Sequence, residues 1–151
     1  MRAFILEALY EWSKAPYQKY FKGDAAWQLT ANDLLRYPEQ SLGFHLGCFL
    51  LKHHFEIQPK LESHDVFHVL TGTGTSVPEE VSMQYYLWGN GKRSAYLVAV
   101  VVLGTLLYPD EIKRFIRAFR KGKRALPFHQ LHFFKLLGQP INSIKTAFAI
   151  Q

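Results

Sequence analysis

Two histidines and an aspartate near the middle of the chain have the spacing of a metal site. His64, Asp65 and His68 lie within five consecutive residues, and an α-helix, which turns by about 100° per residue, would place all three on one face. Two imidazoles four residues apart can reach one ion. The neighbouring carboxylate can supply an oxygen ligand or hold an imidazole in place. The pattern therefore predicts a divalent metal site.

A further ligand is expected from the next helix, where Glu79 and Glu80 are both available. Ser76-x-x-Glu79 fits a capping box, in which the Glu79 side chain reaches back to the Ser76 backbone N–H. Glu80 is then left to point elsewhere. The alternative is that the histidines are ordinary residues of a helix interface and that Glu80 is an acid favoured by the helix dipole.

The elements that would position these residues are helices, because apolar residues recur at helical spacing along nearly the whole chain. We predict an all-α fold, a single-domain bundle of about seven to eight helices spanning residues 1–151. The histidine pair falls on a predicted helix over 61–70. Glu80 falls on a helix that begins at 76–78 and runs towards the Gly-Asn-Gly turn at 89–91.

Caps, prolines and glycines set the limits of the other predicted helices. Gly43 and Gly47, four residues apart, would let another helix approach closely. A first helix is predicted to carry Leu6, Leu9 and Tyr10 and to end near Pro16, and a short second one to be capped at Thr30-x-x-Asp33. A longer helix is predicted to begin at Ser41. The others are predicted over 95–107, over 110–121, from Pro127 through Leu137, and after Pro140.

Charge and cysteine content narrow the possible partners. Cys48 is the only cysteine, which excludes an internal disulfide and a multi-thiolate metal centre. The net charge of +6 is concentrated in residues 110–124, with seven basic and two acidic residues, which argues against a nucleic-acid binder with a wholly cationic face.

The predicted helix over 110–121 is amphipathic. We predict that it contacts an anionic membrane surface, or alternatively that it is a core-packed helix with a solvated face. Its cations are Lys113, Arg114, Arg117, Arg120 and Lys121.

The N-terminal sequence bears on localisation. Glu7 falls inside what would be the apolar core of a signal peptide, and no Arg/Ser-rich, acid-free stretch is present. The longest uncharged apolar run, over 95–108, is about 14 residues, short of the roughly 20 that span a bilayer. We therefore expect a cytoplasmic protein without a signal or transit peptide, associated peripherally with the inner face of the membrane.

The chain resembles the ubiquinone (coenzyme Q) biosynthesis Coq-four family. The hallmark of that family is His-Asp-x-x-His followed, after eleven residues, by Glu, which is matched here by residues 64–68 and Glu80. The stretch His-Val-Leu-Thr-Gly at 68–72 and the Pro-x-x-Ser-Leu-Gly segment at 38–43 are also similar. The resemblance covers about residues 37–88.

The resemblance implies that His64, Asp65, His68 and Glu80 hold a divalent ion, most simply Zn²⁺. It implies a prenylated quinone precursor or another prenyl lipid as ligand, and replacement of the C1 carboxylate of a prenylated 4-hydroxybenzoate by hydroxyl. It also implies a complex with other quinone-pathway enzymes. A prenyl tail needs an apolar groove, and we predict that aromatic residues after the motif line it, or alternatively that they belong to the core. These are Tyr85, Tyr86 and Trp88.

The reaction that the resemblance implies would make the protein a metal-dependent lyase or oxidative decarboxylase. Two further hypotheses compete with this one. In the first, the protein is a non-catalytic prenyl-lipid-binding or scaffold protein whose metal only ties two helices together, which would need a closed coordination shell. The second is an HD-type metal-dependent phosphohydrolase, suggested by His53-His54 ahead of His64-Asp65, with Asp110 as a distant ligand. His45, His53, His54, His129 and His132 otherwise lack ligand spacing and are interpreted as structural.

Overall fold

The computed structural model describes Phe4 and residues 26–58 and 62–151. Within these residues it contains seven α-helices and no β-strand, which confirms the predicted all-α class. The predicted first helix around Leu6 to Tyr10 lies outside the described residues. The helices are α1 (Ala31–Leu34), α2 (Leu42–Lys52), α3 (Glu62–Thr71), α4 (Val77–Gly89), α5 (Ala95–Leu107), α6 (Ile112–Arg124) and α7 (Ile141–Ala147), with 3₁₀ segments at Pro109–Glu111 and Phe133–Leu136.

Side-chain caps fix where the first helices begin. The Thr30 hydroxyl accepts from the Asp33 backbone N–H at 3.2 Å, and the Asp33 carboxylate accepts from the Thr30 N–H at 2.9 Å. The Ser41 hydroxyl accepts from the Phe44 N–H at 3.2 Å and begins α2. Both predicted starts are confirmed, because each hydroxyl pairs with a helical N–H that has no partner within its own helix.

A small residue in α2 allows α1 to pack against it directly. A Cβ atom on Gly47 would lie 3.1 Å from both the Ala31 carbonyl oxygen and the Leu34 Cβ atom. The close helix approach predicted from Gly43 and Gly47 is therefore confirmed at Gly47, whereas a Cβ atom on Gly43 would meet the Tyr37 ring and the Leu137 carbonyl oxygen. The contact packs α1 against α2, which carries the buried residues Leu42, Leu46 and Leu50.

Helix α4 lies against both α5 and α6, and glycines make both crossings close. A Cβ atom on Gly122 of α6 would overlap the Tyr86 carbonyl oxygen of α4. A Cβ atom on Gly104 of α5 would lie 2.6 Å from Val81 Cγ1. Because glycine has no side chain at these points, α6 approaches the α4 backbone and α5 packs directly on the Val81 side chain.

The predicted helix from Pro127 through Leu137 is wrong. Only the 3₁₀ segment Phe133–Leu136 is helical there. The Asn90 side chain accounts for the difference: its amide nitrogen donates to the carbonyl oxygens of Gly122, Ala125 and Leu126, and its carbonyl oxygen accepts from the Phe128 N–H at 3.0 Å. These long-range bonds tie the backbone from the end of α6 to Phe128 to one side chain and hold it as a loop.

No single helix among the described residues is both long and apolar enough to cross a bilayer. α5 together with residues 109–124 meets the length and composition criteria only as a pair bent by 103°.

Candidate metal centre

The two predicted histidine ligands come together on one face of α3. Their Nε2 atoms are 3.2 Å apart and their ring centroids are separated by 5.0 Å. The His68 side chain is buried, with 4% exposed, while His64 is 18% exposed. The i, i+4 spacing therefore aims both imidazoles at one point between the helix and its neighbours.

Glu80 reaches the same point from the first turn of α4. The connection from α3 turns at Gly72, whose φ of 63° is readily adopted by glycine. Glu80 Oε2 lies 3.1 Å from His68 Nε2 and 3.4 Å from His64 Nε2. Two nitrogens and one carboxylate oxygen thus form a nearly equilateral triangle.

The hydrogen bond on the far side of His68 shows that this triangle needs a positive charge. His68 Nδ1 lies 3.1 Å from the Thr73 carbonyl oxygen, which can only accept, so Nδ1 carries the hydrogen. In a neutral imidazole Nε2 then presents a lone pair to the Glu80 carboxylate. Two electron pairs at this distance repel each other unless a proton or a metal ion lies between them.

The geometry fits a zinc-sized ion. Zinc binds imidazole nitrogen and carboxylate oxygen at about 2.0–2.1 Å, so donors in a tetrahedral site are roughly 3.3–3.4 Å apart. The three separations observed, 3.1, 3.2 and 3.4 Å, agree with this value to within a few tenths of an ångström. Two histidines and one glutamate are also a donor set that zinc enzymes use when a fourth position is left for water or substrate.

Asp65 is not part of the three-donor group that the structure brings together. Burial raises the pKa of its carboxyl to about 6, against the opposing effect of positive charge on His64 and His68. The carboxyl therefore lies at the edge of the centre, close enough to feel the charges of the donors. Its role as a fourth ligand stays a prediction.

Glu79 and Glu80 have separate tasks. The Ser76 backbone N–H donates to Glu79 Oε2 at 3.1 Å, which confirms the predicted capping box. Glu79 Oε1 also lies 3.4 Å from an Arg114 guanidinium nitrogen. The hydrogen bond from the Ser76 hydroxyl lowers the pKa of Glu79, with Arg114 adding to the effect. Glu79 is thus occupied at the helix start while Glu80 faces the histidines.

Gln84 holds Glu80 in place and was missed by sequence reasoning. Its amide nitrogen donates to Glu80 Oε1 at 3.0 Å, which leaves Oε2 facing the histidines. The signal was available, since Gln84 lies one helical turn after Glu80 and a Glu–Gln pair at i, i+4 shares a face. Gln84 is fully buried, so its packing fixes the carboxylate orientation.

The charges of the centre reinforce one another. Burial of Glu80 favours its neutral form, but the charges of His64 and His68 and the hydrogen bonds to them hold the pKa of Glu80 well below its usual range. Burial likewise disfavours charged His68, yet its hydrogen bond with Glu80 raises the pKa of His68 above the usual value. A glutamate kept ionised among imidazoles is electrostatically ready for a cation.

The additional residues of the rival phosphohydrolase pattern do not join the donor group. His53, His54 and Asp110 are absent from it, as far as the described residues extend. His53 instead packs on Phe49, with ring centroids 4.8 Å apart, and Phe49 in turn stacks on His68 at 5.4 Å. These rings form one wall of the centre.

The predicted groove aromatics lie mostly inside the protein. Tyr85 and Tyr86 are buried, and Tyr85 stacks on Phe115 at 5.2 Å with its hydroxyl 2.6 Å from the Thr105 hydroxyl. Trp88 is 36% exposed and packs against Phe119. Lining of a lipid groove stays a prediction, and of the three residues Trp88 has the most accessible edge.

The basic helix α6 presents its cations outward. The five residues predicted to contact a membrane are all exposed: Lys113, Arg114, Arg117, Arg120 and Lys121. Phe115 on the opposite face is fully buried. The amphipathic pattern therefore produces a helix that is anchored on one side and cationic on the other.

Comparison with known proteins identifies the family. The family model for "Coenzyme Q (ubiquinone) biosynthesis protein Coq4" matches residues 51–151, well over half of the chain, including every residue of the candidate metal centre. The chain belongs to this family. The resemblance seen in the sequence is thereby confirmed, and membership in the Coq-four family indicates involvement in ubiquinone biosynthesis.

A solved structure has the same fold. It is a protein from Nostoc punctiforme PCC 73102, described as a candidate ubiquinone biosynthesis protein, with a TM-score of 0.71 and 16% sequence identity. The match covers 83% of this chain and 70% of that chain. No curated protein sequence matches significantly. The fold of this chain therefore also occurs in a protein of 16% sequence identity.

Proposed function

We propose that this Coq-four protein binds one divalent ion, Zn²⁺, and replaces the C1 carboxylate of a prenylated 4-hydroxybenzoate-type precursor by hydroxyl. The observation that carries the proposal is the convergence of His64 Nε2, His68 Nε2 and Glu80 Oε2 within 3.1–3.4 Å of one another. Family membership supplies the pathway. In this catalytic role Asp65 stays at the edge of the centre and the fourth position is open.

Each residue of the centre has a distinct task. Thr73 fixes the His68 ring through Nδ1, and Gln84 fixes Glu80 through Oε1, so the metal-facing atoms are held before any ligand arrives. With three donors in place, a fourth position remains for an oxygen of the substrate. The bound ion supplies Lewis acidity that polarises a carboxylate or phenolate oxygen.

The overall reaction needs an oxidant. Conversion of an aromatic carboxylate to a phenol releases CO₂ and removes two electrons from the substrate. Zinc does not change oxidation state, so the two electrons pass to dioxygen, which is reduced to hydrogen peroxide, while water supplies the new hydroxyl oxygen: one acid, one O₂ and one H₂O give one phenol, one CO₂ and one H₂O₂. The residues of the centre therefore bind and orient the aromatic head, and the redox partner reacts with it directly.

We place the protein on the cytoplasmic side of an anionic membrane, where prenylated precursors reside. Two exposed surfaces support this placement. The outward face of α6 carries the five cations described above, which favour anionic lipid headgroups. Val98, Val102 and Leu106 form an exposed apolar stripe along α5, with exposed fractions of 53%, 51% and 71%. Other quinone-biosynthesis enzymes are proposed as further partners.

A non-catalytic role is the second candidate, and it would require Asp65 to bind the ion as a fourth ligand. If this carboxylate completed a four-ligand shell, the ion would be structural and the protein would bind or present a prenyl lipid without transforming it. The number of protein ligands around the metal therefore separates the two roles.

The test of catalysis follows the carboxyl carbon. Zinc-loaded protein is incubated aerobically with 3-geranyl-4-hydroxybenzoate labelled with ¹³C in the carboxyl group, and labelled CO₂ and the C1-hydroxylated product are measured. We expect both products from the wild type, none from His68→Ala, and unchanged yield from Glu79→Gln. Metal-loaded, folded protein that binds the substrate and forms no product would refute catalysis and favour the non-catalytic role.

A further inference from the structure

Lys92 follows the end of α4 and carries its positive charge to Phe67 of α3. It follows the turn at Asn90 and Gly91, where Gly91 has a φ of 100°. The Lys92 N–H donates to the Leu87 carbonyl oxygen at 2.9 Å, so the backbone position is fixed. From there the side chain runs to Phe67, and Nζ lies 5.0 Å from the centroid of that ring. Phe67 immediately precedes the predicted ligand His68.

The ammonium group of Lys92 is poorly compensated. Burial lowers its pKa, and the charge of Glu80 acts in the opposite direction. The face of the Phe67 ring offers a weak cation–π contact. Among the described residues, no oxygen pairs with Nζ in a hydrogen bond or a salt bridge. An ammonium has three donors, so its capacity to bind an anion is unused.

A second polar atom near the centre is also without a partner. The amide nitrogen of Gln84 is engaged with Glu80, whereas Gln84 Oε1 is buried and has no hydrogen-bond partner among the described residues. Buried polar atoms are normally paired, and unpaired ones call for an explanation such as a bound ligand. Gln84 is hydrogen-bonded to Glu80, and the charge of Glu80 also acts on the Lys92 ammonium, so this explanation points to a polar ligand beside the metal.

We propose that Lys92 is a substrate-binding residue whose ammonium pairs with an anionic oxygen, carboxylate or phenolate, of an aromatic ligand held at the metal centre. The inference rests on the proposed function, because it takes the metal centre as the place where the aromatic head binds. Phe67 keeps the ammonium in position before the ligand arrives. Gln84 Oε1 then accepts a hydrogen bond from a neutral hydroxyl of the same ligand.

The test compares one ligand with two derivatives that each lack one ionisable oxygen. The ligands are 3-geranyl-4-hydroxybenzoate, its methyl ester and its 4-O-methyl ether, and dissociation constants are measured on zinc-loaded protein by calorimetry. The variants are Lys92→Met, which keeps the apolar stem, and Lys92→Arg, which keeps the charge. Lys135→Met, at an exposed position in the 3₁₀ segment, is the matched control.

We expect Lys92→Met to weaken binding of the parent acid by at least about tenfold, because it removes one partner of a buried charge pair. Lys135→Met should remain within about threefold of the wild type, because its charge lies elsewhere. Lys92→Arg keeps the charge in a different shape and should bind the parent acid more tightly than Lys92→Met. One derivative should lose its sensitivity to Lys92→Met, and that derivative identifies the oxygen that the ammonium binds. Zinc content should be the same in all four proteins.

Two results would overturn the inference. The first is unchanged affinity of Lys92→Met for the parent acid. The second is an equal loss for all three ligands, which would show a general packing effect. In both cases wild-type binding at the metal centre would still stand, so the proposed function survives. If the zinc-loaded wild type binds none of the three ligands, both the inference and the proposed substrate class are refuted.

Discussion

Glu79→Gln and Glu80→Gln form a matched pair that tests whether the metal centre is assigned to the correct glutamate. The residues are neighbours in the first turn of α4 and undergo the same chemical change. Glu80 Oε2 lies within 3.4 Å of both imidazole nitrogens, whereas Glu79 is engaged with Ser76 and Arg114. The two variants should therefore have different effects on metal binding.

The expected magnitudes follow from these contacts. Substitutions of residues that only orient a metal ligand cost about 10–100-fold in affinity. Loss of the only carboxylate in the three-donor group should exceed this range, so we expect Zn²⁺ affinity to fall by at least about 100-fold in Glu80→Gln, or about 2.7 kcal/mol. Glu79→Gln should stay within about threefold for zinc, while loss of its negative charge at the helix start lowers the free energy of unfolding by about 0.3–1 kcal/mol.

The assay is competition for zinc with a chromophoric chelator, accompanied by urea unfolding of the metal-free proteins. The unfolding data show whether each variant is folded under the conditions of the titration. The reasoning is refuted if both variants lose zinc to the same extent. It is also refuted if folded Glu80→Gln binds zinc as tightly as the wild type.

Three further predictions concern the scaffold and the protonation of the centre. Gly122→Ala should lower the free energy of unfolding by at least about 2 kcal/mol, since the new Cβ would overlap the Tyr86 carbonyl oxygen. The control is Gly138→Ala, because no heavy atom lies within 4 Å of a Cβ at that position. Similar urea midpoints for the two variants would contradict the proposed helix crossing. Asn90→Ala should lower it by about 3 kcal/mol, because several buried backbone groups lose their partner; a loss below about 1 kcal/mol would show that water replaces the amide. Zinc affinity should fall as pH is lowered, because both imidazoles must be deprotonated to bind. In the metal-free protein burial lowers the pKa of His68, but its hydrogen bond with Glu80 raises that pKa above the ordinary histidine value of 6.5. Protons should therefore begin to compete with zinc at a pH above 6.5. Zinc affinity that does not change between pH 8 and pH 5.5 would argue against histidine ligands.

Local patterns were sufficient for most of the helices and for bringing three donors together. The spacing of His64 and His68 depends only on helix geometry, and the capping box at Ser76 depends on residues three apart. Both are short-range features, so the sequence alone could separate Glu79 from Glu80. The glycines of α2 were recognised for the same reason, as a pair on one helical face.

The errors and omissions arise from long-range contacts. Pro127 was a reasonable helix start by local rules, but Asn90, 37 positions earlier in the chain, binds the backbone of that region and holds it as a loop. Gly89 and Gly122 were likewise not recognised as a pair, although each lies where α4 and α6 cross most closely. Tertiary hydrogen bonds and packing override local propensity at such positions.

Lys92 illustrates a second limit. A lysine just after a Gly-Asn-Gly turn is typical of an exposed loop, and nothing within the neighbouring residues indicates that its ammonium points inward. Only the packing of α3 beside the end of α4 brings Nζ to Phe67. Functional residues that depend on such packing become visible in the structure and not in the pattern.

The metal content of the purified protein tests the central claim most directly. Wild-type protein prepared without chelators is analysed for bound elements, together with His68→Ala, and X-ray absorption at the metal edge determines the ligand types. We predict about one equivalent of zinc per chain in the wild type, coordinated by two imidazoles and carboxylate oxygen, and loss of that metal in His68→Ala. A folded wild-type protein that neither contains nor takes up a divalent ion would contradict the account.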